Sequence, residues 1–125
     1  MKNTRYIPLE ELEIYQMAME IGEIVWAWVD RWEYFPKVTL GKQFVDSADS
    51  IAANIAEGYC RFHFKDKRNF YYYARGSLSE TKTWTTKSNN RGLITEEENS
   101  LLYEKLKTLH KSLNMHIKSL PIKGG

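Results

Sequence analysis

The chain has 125 residues, of which 42% are hydrophobic and 27% charged, and a formal net charge of +2. It has the size of one domain with its own core, and its composition is that of a globular chain rather than a disordered one. The start, MKNTRYIPLEELEIYQ, has no apolar segment before its acidic residues, and the longest apolar run, Ile24 to Val29, is far below the roughly 20 residues that cross a bilayer.

Those features argue against secretion and membrane insertion. The lone Cys60 cannot form an intramolecular disulfide, which suits a reducing cytoplasm.

In chain order, Ile14, Ala18, Ile21, Val25, Trp28 and Trp32 recur at the spacing of one helix face and predict a first helix over about 9–32. Tyr34-Phe35-Pro36 is expected to end it, because proline lacks an amide donor and disfavours helical geometry in the residue before it. Phe44, Ala48, Ile51 and Ile55 then predict a second helix over about 40–59, closed by Gly58 in the left-handed conformation. A third, over about 65–89, is expected to turn Phe70, Tyr73, Ser77, Thr81 and Trp84 inward and to end at Asn89-Asn90-Arg91-Gly92. Thr95-Glu96-Glu97-Glu98 reads as a capping box opening a fourth helix over about 95–120. Its apolar face is Leu102, Leu106, Leu109, Leu113, Ile117 and Leu120, with Pro121 as the stop.

Four such helices joined by short loops predict an all-α, antiparallel, up-and-down four-helix bundle forming a single domain over 1–125. Gly76 in mid-helix costs about 1 kcal/mol relative to alanine, which predicts a close helix approach there. On the first helix a second line of Tyr15, Met19, Gly22, Trp26 and Val29 lies about a third of a turn from the core line. One face cannot bury both lines, so this one is expected to be a self-association surface; the competing reading is a central first helix buried by two neighbours.

Charge is unevenly distributed. Residues 1–58 hold five Lys or Arg against ten Asp or Glu, residues 59–91 hold eight against two, and residues 92–125 hold five against four. On the third helix Lys65, Arg68, Tyr72, Arg75, Ser79 and Lys82 succeed one another at three- and four-residue steps, nearly opposite the expected core line. With Arg61, Lys67, Lys87 and Arg91 nearby, this is the footprint expected for contact with an RNA or DNA backbone. The competing reading is a solvated face, or one paired with the acidic first helix. Glu57 and Arg61 are also spaced to pair across one turn.

Ser50-Ile51-Ala52-Ala53-Asn54-Ile55-Ala56-Glu57-Gly58, then Arg61, then Ala74-Arg75-Gly76-Ser77-Leu78-Ser79-Glu80 resemble the motifs of the four-helix-bundle family of 23S rRNA intervening-sequence proteins. Leu12-Glu13-Ile14-Tyr15-Gln16 and Gly92-Leu93-Ile94-Thr95 match as well, extending the resemblance over about 9–120. It implies an up-and-down bundle assembled into a ring, a homopentamer. The family is similar to the accessory variability protein of diversity-generating retroelements, a basic pentamer that binds nucleic acid and a partner reverse transcriptase. This chain, at +2, is less basic than that relative, and it carries His63 where many members have a serine cap. The polar members of the motifs, Asn54, Glu57, Arg75, Ser77 and Glu80, are expected to form a structural hydrogen-bond network fixing helix register.

No catalytic, metal or cofactor site is expected. A di-iron bundle needs Glu-x-x-His pairs, and Glu57, Glu80 and Glu104 are followed at that spacing by Cys60, Thr83 and Lys107. His110 and His116 read as surface or boundary residues, and Cys60 with His63 lacks a third orienting group. The expectation is a non-enzymatic homo-oligomer that binds RNA or DNA. Its rival is a protein-interaction scaffold with no nucleic-acid contact.

Overall fold

A computed structural model describes residues 6–122; residues 1–5 and 123–125, the ends of the expected domain, lie outside the described part. The chain is an all-α, antiparallel, up-and-down four-helix bundle, with α1 over Glu13–Asp30, α2 over Lys42–Cys60, α3 over Phe64–Asn90 and α4 over Glu96–Lys118. A 3-10 turn, Leu9–Glu11, precedes α1. In cross-section the helices follow chain order around one core, α2 packing most extensively on α3 and α4 closing back on α1. The α1–α2 seam and the α3–α4 seam therefore lie on opposite sides of the bundle.

The expected apolar faces of α1, α2 and α4 are the buried ones. Ile14, Ala18, Ile21 and Val25 meet Phe44, Ala48, Ile51 and Ile55, and Leu102, Leu106, Leu109 and Leu113 complete the interior. Apart from the alanines, such side chains contribute roughly 1.5–3 kcal/mol each on full burial. The capping box at α4 is formed, with the Thr95 hydroxyl accepting from the Glu98 amide and the Glu98 carboxylate accepting from the Thr95 amide, both at 3.0 Å.

Three punctuation marks act differently from expectation. Helix α1 stops at Asp30, and Tyr34-Phe35-Pro36 opens a new helical turn that continues through a π-helical segment, Lys37–Gly41, into α2. Pro36 sits in the first turn, where an amide has no intrahelical acceptor, so its missing N–H costs nothing. Gly58 is not left-handed: α2 runs past it to Cys60, and among the described residues Gly92, at φ 72°, is the positive-φ glycine. Gly58 instead lets α2 approach α3, since a Cβ there would stand 2.9 Å from Tyr71 Cε1 and 3.2 Å from the Lys67 carbonyl. Gly76, where close approach was expected, has open space around it.

The buried face of α3 is rotated from the expected one. Tyr71, Ala74, Leu78, Thr81, Thr85 and Ser88 point inward, while Tyr73 is 57% exposed and Phe70, Ser77 and Trp84 are half-buried. Hydroxyls make this possible: Thr81, Thr85 and Ser88 donate to the carbonyls of Ser77, Thr81 and Trp84 at 2.7–2.8 Å. Thr81 also meets the Ser47 hydroxyl at 2.9 Å, and Ser47 lies 3.1 Å from the Phe44 carbonyl. This buried polar link ties α3 to α2.

Candidate nucleic-acid interface

The rotation of α3 changes where its basic residues point. With 3.6 residues per turn, the line Lys65, Arg68, Tyr72, Arg75, Ser79 and Lys82 lies about a third of a turn from the buried face, toward α4, and not opposite it. Arg75 donates to Asn114 Oδ1 at 2.8 Å, Arg68 donates to the Pro121 carbonyl, and Lys82 Nζ lies 3.0 Å from His110 Nδ1. Arg75 and Lys82 therefore lean on α4 and Arg68 on the segment that follows it, each keeping a partly open head. Tyr72 and Tyr103 supply rings, under Arg75 at 5.0 Å and under Lys82 at 5.9 Å.

Because His110 and Asn114 face α3, helical spacing puts Lys107, Lys111 and Lys118 of α4 on the outer edge of the same seam, and all three are exposed. Sequence reasoning confined to α3 missed them, although their spacing of four and seven residues marks one face of one helix. The seam thus gathers Lys65, Arg68, Arg75, Lys82, Lys107, Lys111 and Lys118. None of these seven takes part in a salt bridge among the described residues, where the acids pair with Arg31, Lys37, Lys42, Arg61 and Lys105. The cationic surroundings also act on His110, whose basicity is lowered by burial and then by Lys82 and Arg75.

Other candidates fall elsewhere. Lys67 belongs to the end of α2, where its ammonium donates to the carbonyls of Gly58 at 3.3 Å and Tyr59 at 2.8 Å; burial lowers its pKa. It is a helix cap and stands apart from the seam. Arg61 pairs with Glu57 at 2.7 Å, as its spacing predicts, and covers the Phe70 ring at 4.7 Å. Lys87 and Arg91 lie at the far end of α3, beside Phe35 and Trp84.

The polar motif residues do not form one network. Asn54 donates to the Ser50 carbonyl within its own helix, Glu57 holds Arg61, Arg75 reaches Asn114, the Ser77 carbonyl serves Thr81, and Glu80 is exposed. The buried side-chain hydrogen bond between α2 and α3 joins Thr81 to Ser47 instead. His63 stands at the N-cap of α3 and its side chain makes no capping bond. His116 packs edge-on against the Tyr71 ring at 4.9 Å, and burial followed by Lys67 lowers its pKa. Burial pushes the Tyr71 phenol up to about 12.

The opposite, α1–α2 seam is apolar with a net acidic lining, Glu23, Asp30, Asp46 and Asp49 against Lys37 and Lys42. The expected self-association line is divided there: Gly22 and Val29 are buried by α2 and the turn before it, Tyr15 is half-buried, and Met19 and Trp26 remain 43% and 59% exposed. Gly22 leaves room for the Asp49 carboxylate, which an added Cβ would meet at 2.7 Å. The Asp49 pKa is raised by burial and then by Glu23 and Asp46.

Among the described residues no helix is long and apolar enough to cross a membrane, and no group of three His, Cys, Asp or Glu is placed to hold a metal ion.

The sequence profile of the 23S rRNA-intervening sequence protein family matches residues 10–115, spanning all four helices. The chain belongs to this family. No curated protein matches it. Among solved structures it is similar to a protein of unknown function from the S23 ribosomal protein family of Bacteroides thetaiotaomicron, with a TM-score of 0.76, 24% identity, and coverage of 85% of this chain and 99% of that one. At that identity the likeness carries the fold. The intervening-sequence family is therefore the frame for this bundle.

Proposed function

We propose that the protein is a non-enzymatic, self-associating bundle whose α3–α4 seam binds the phosphate backbone of RNA or DNA. The observation that carries this reading is the run of seven cations along one seam, with no acidic partner for any of them among the described residues. Cations left uncompensated on one face, with aromatic rings between them, supply the counterion-releasing contacts that phosphates reward. Repetition of the seam around an oligomer, such as the ring of five that the family resemblance implies, raises the apparent affinity of each weak site. The rival reading, a scaffold that binds a protein such as a reverse transcriptase and no nucleic acid, is favoured by the exposed Met19 and Trp26. Cytoplasmic residence belongs to either reading.

The test is fluorescence anisotropy with a labelled duplex DNA and a structured RNA hairpin over a salt series. Both are expected to bind at low salt, with affinity falling as salt rises. Lys107→Glu with Lys111→Glu, two exposed positions, is expected to weaken both at least about tenfold, since each lost phosphate contact lowers the salt-dependent term. Absence of binding at low salt, or binding unchanged in the double variant, rejects the seam.

A further inference from the structure

At the end of the bundle reached by the C-terminal half of α3, the turn before α2 leaves an open notch that the seam does not include. Phe35 forms one wall and is 73% exposed. Gln43, from the first turn of α2, stands beside it, with no side-chain hydrogen bond to any described residue. Trp84 forms the floor, and its indole N–H is buried with no acceptor among the described residues. Lys87 and Arg91 form the other wall, and neither is in a salt bridge among the described residues.

Each of these groups suits one part of a nucleotide. An exposed ring offers a stacking surface to a base, a side-chain amide offers both a donor and an acceptor to a base edge, and two cations offer a grip on the adjoining phosphates. The concavity also selects among nucleic acids. A base can lie on Phe35 only after leaving its own stack, which a duplex resists and an unpaired loop or strand end permits.

We infer that this notch binds an unpaired nucleotide, so that the bundle holds duplex backbone on the seam and a single-stranded segment at its end. The inference rests on the nucleic-acid reading above, but its residues are separate from the seven seam cations.

The experiment compares a fluorescein-labelled ten-nucleotide oligo-dT with a duplex of equal length, by anisotropy, on the full chain. Phe35→Ala is expected to weaken oligo-dT binding about tenfold, the scale of one lost base–aromatic stack, and to leave duplex binding unchanged. Phe35→Trp is expected to restore it. The side chain's exposure means that neither variant removes core packing, and circular dichroism with thermal melting checks this directly. Equal loss for both ligands, an unchanged oligo-dT affinity, or a change of oligomeric mass in Phe35→Ala overturns the notch, the last by showing a protein contact instead. The Lys107→Glu, Lys111→Glu variant separates the two readings: if it abolishes duplex binding while Phe35→Ala changes nothing, the seam stands and the notch fails. If the wild-type protein binds oligo-dT in a Phe35-dependent way but no duplex, the notch stands and the seam fails.

Discussion

Gly58 and Gly76 occupy two helices with the same residue for opposite reasons. At Gly58 the ring of Tyr71 and the backbone of Lys67 fill the space that a Cβ would take, and neither can retreat easily, because Tyr71 is itself 1% exposed. Gly58→Ala is therefore expected to destabilise the fold by about 1–3 kcal/mol, the usual cost of overpacking a filled interior. At Gly76 an added methyl group meets nothing within 4 Å, so Gly76→Ala is expected to stabilise by about 1 kcal/mol through helix propensity alone. Urea unfolding of the two variants checks both signs, and equal shifts would show that helix propensity, not packing, governs both positions. The sequence announces that both glycines are unusual in helices, but which one marks close approach depends on the rotation of the neighbouring helix. That rotation is set by tertiary packing.

Among the elements, α1, α2 and α4 are legible from spacing because most of their inward residues are large and apolar and recur every three or four positions. Helix α3 is not. Beside Tyr71, Ala74 and Leu78 its interior uses the hydroxyls of Thr81, Thr85 and Ser88, of which only Thr81 lies on the expected line, while Phe70, Tyr73 and Trp84 occupy its flank. Hydroxyls that bond back to their own helix can be buried at little cost, so an aromatic-based reading of this helix lands on the flanking face and misplaces the basic line with it. The seam was legible in part: the α3 cations stand out in sequence, but their partnership with Lys107, Lys111 and Lys118 requires knowing which helix lies beside which. The start of α4, by contrast, is fully written in Thr95-Glu96-Glu97-Glu98. Here Glu98 also takes Arg31 at 2.9 Å, tying α4 to the end of α1. Thr95→Ala is expected to cost about 1 kcal/mol as a lost N-cap, whereas Arg31→Ala removes a pair whose arginine is 56% exposed and is expected to cost about half of that or less. Chemical denaturation of the two variants gives the order, and the reverse order would place the end of α1, not the cap, in control of this corner.

At the scale of the molecule, the two opposite seams differ in character. One carries Met19 and Trp26 in the open beside Glu23, Asp46 and Asp49, and the other carries the cations of α3 and α4. Self-association of the apolar seam with a face of the next copy other than its cationic seam is a heterologous contact, which closes into a ring when the rotation between copies allows it and leaves every α3–α4 seam open to phosphate. An isologous dimer would instead bring the acidic seam against itself. Burial of Trp26 and Met19 would supply most of the driving force, since charge pairs at a rim add direction more than affinity. Light scattering at micromolar concentration is therefore expected to show an oligomer that persists at high salt. Trp26→Glu puts a charge into that contact, and because this side chain is 59% exposed in the single chain, its replacement leaves the core intact. The expected result is a shift to monomer with unchanged helicity by circular dichroism. A wild-type protein that is already monomeric, or a Trp26→Glu variant of undiminished mass, would place the exposed tryptophan outside any self-contact and favour a different protein as its partner.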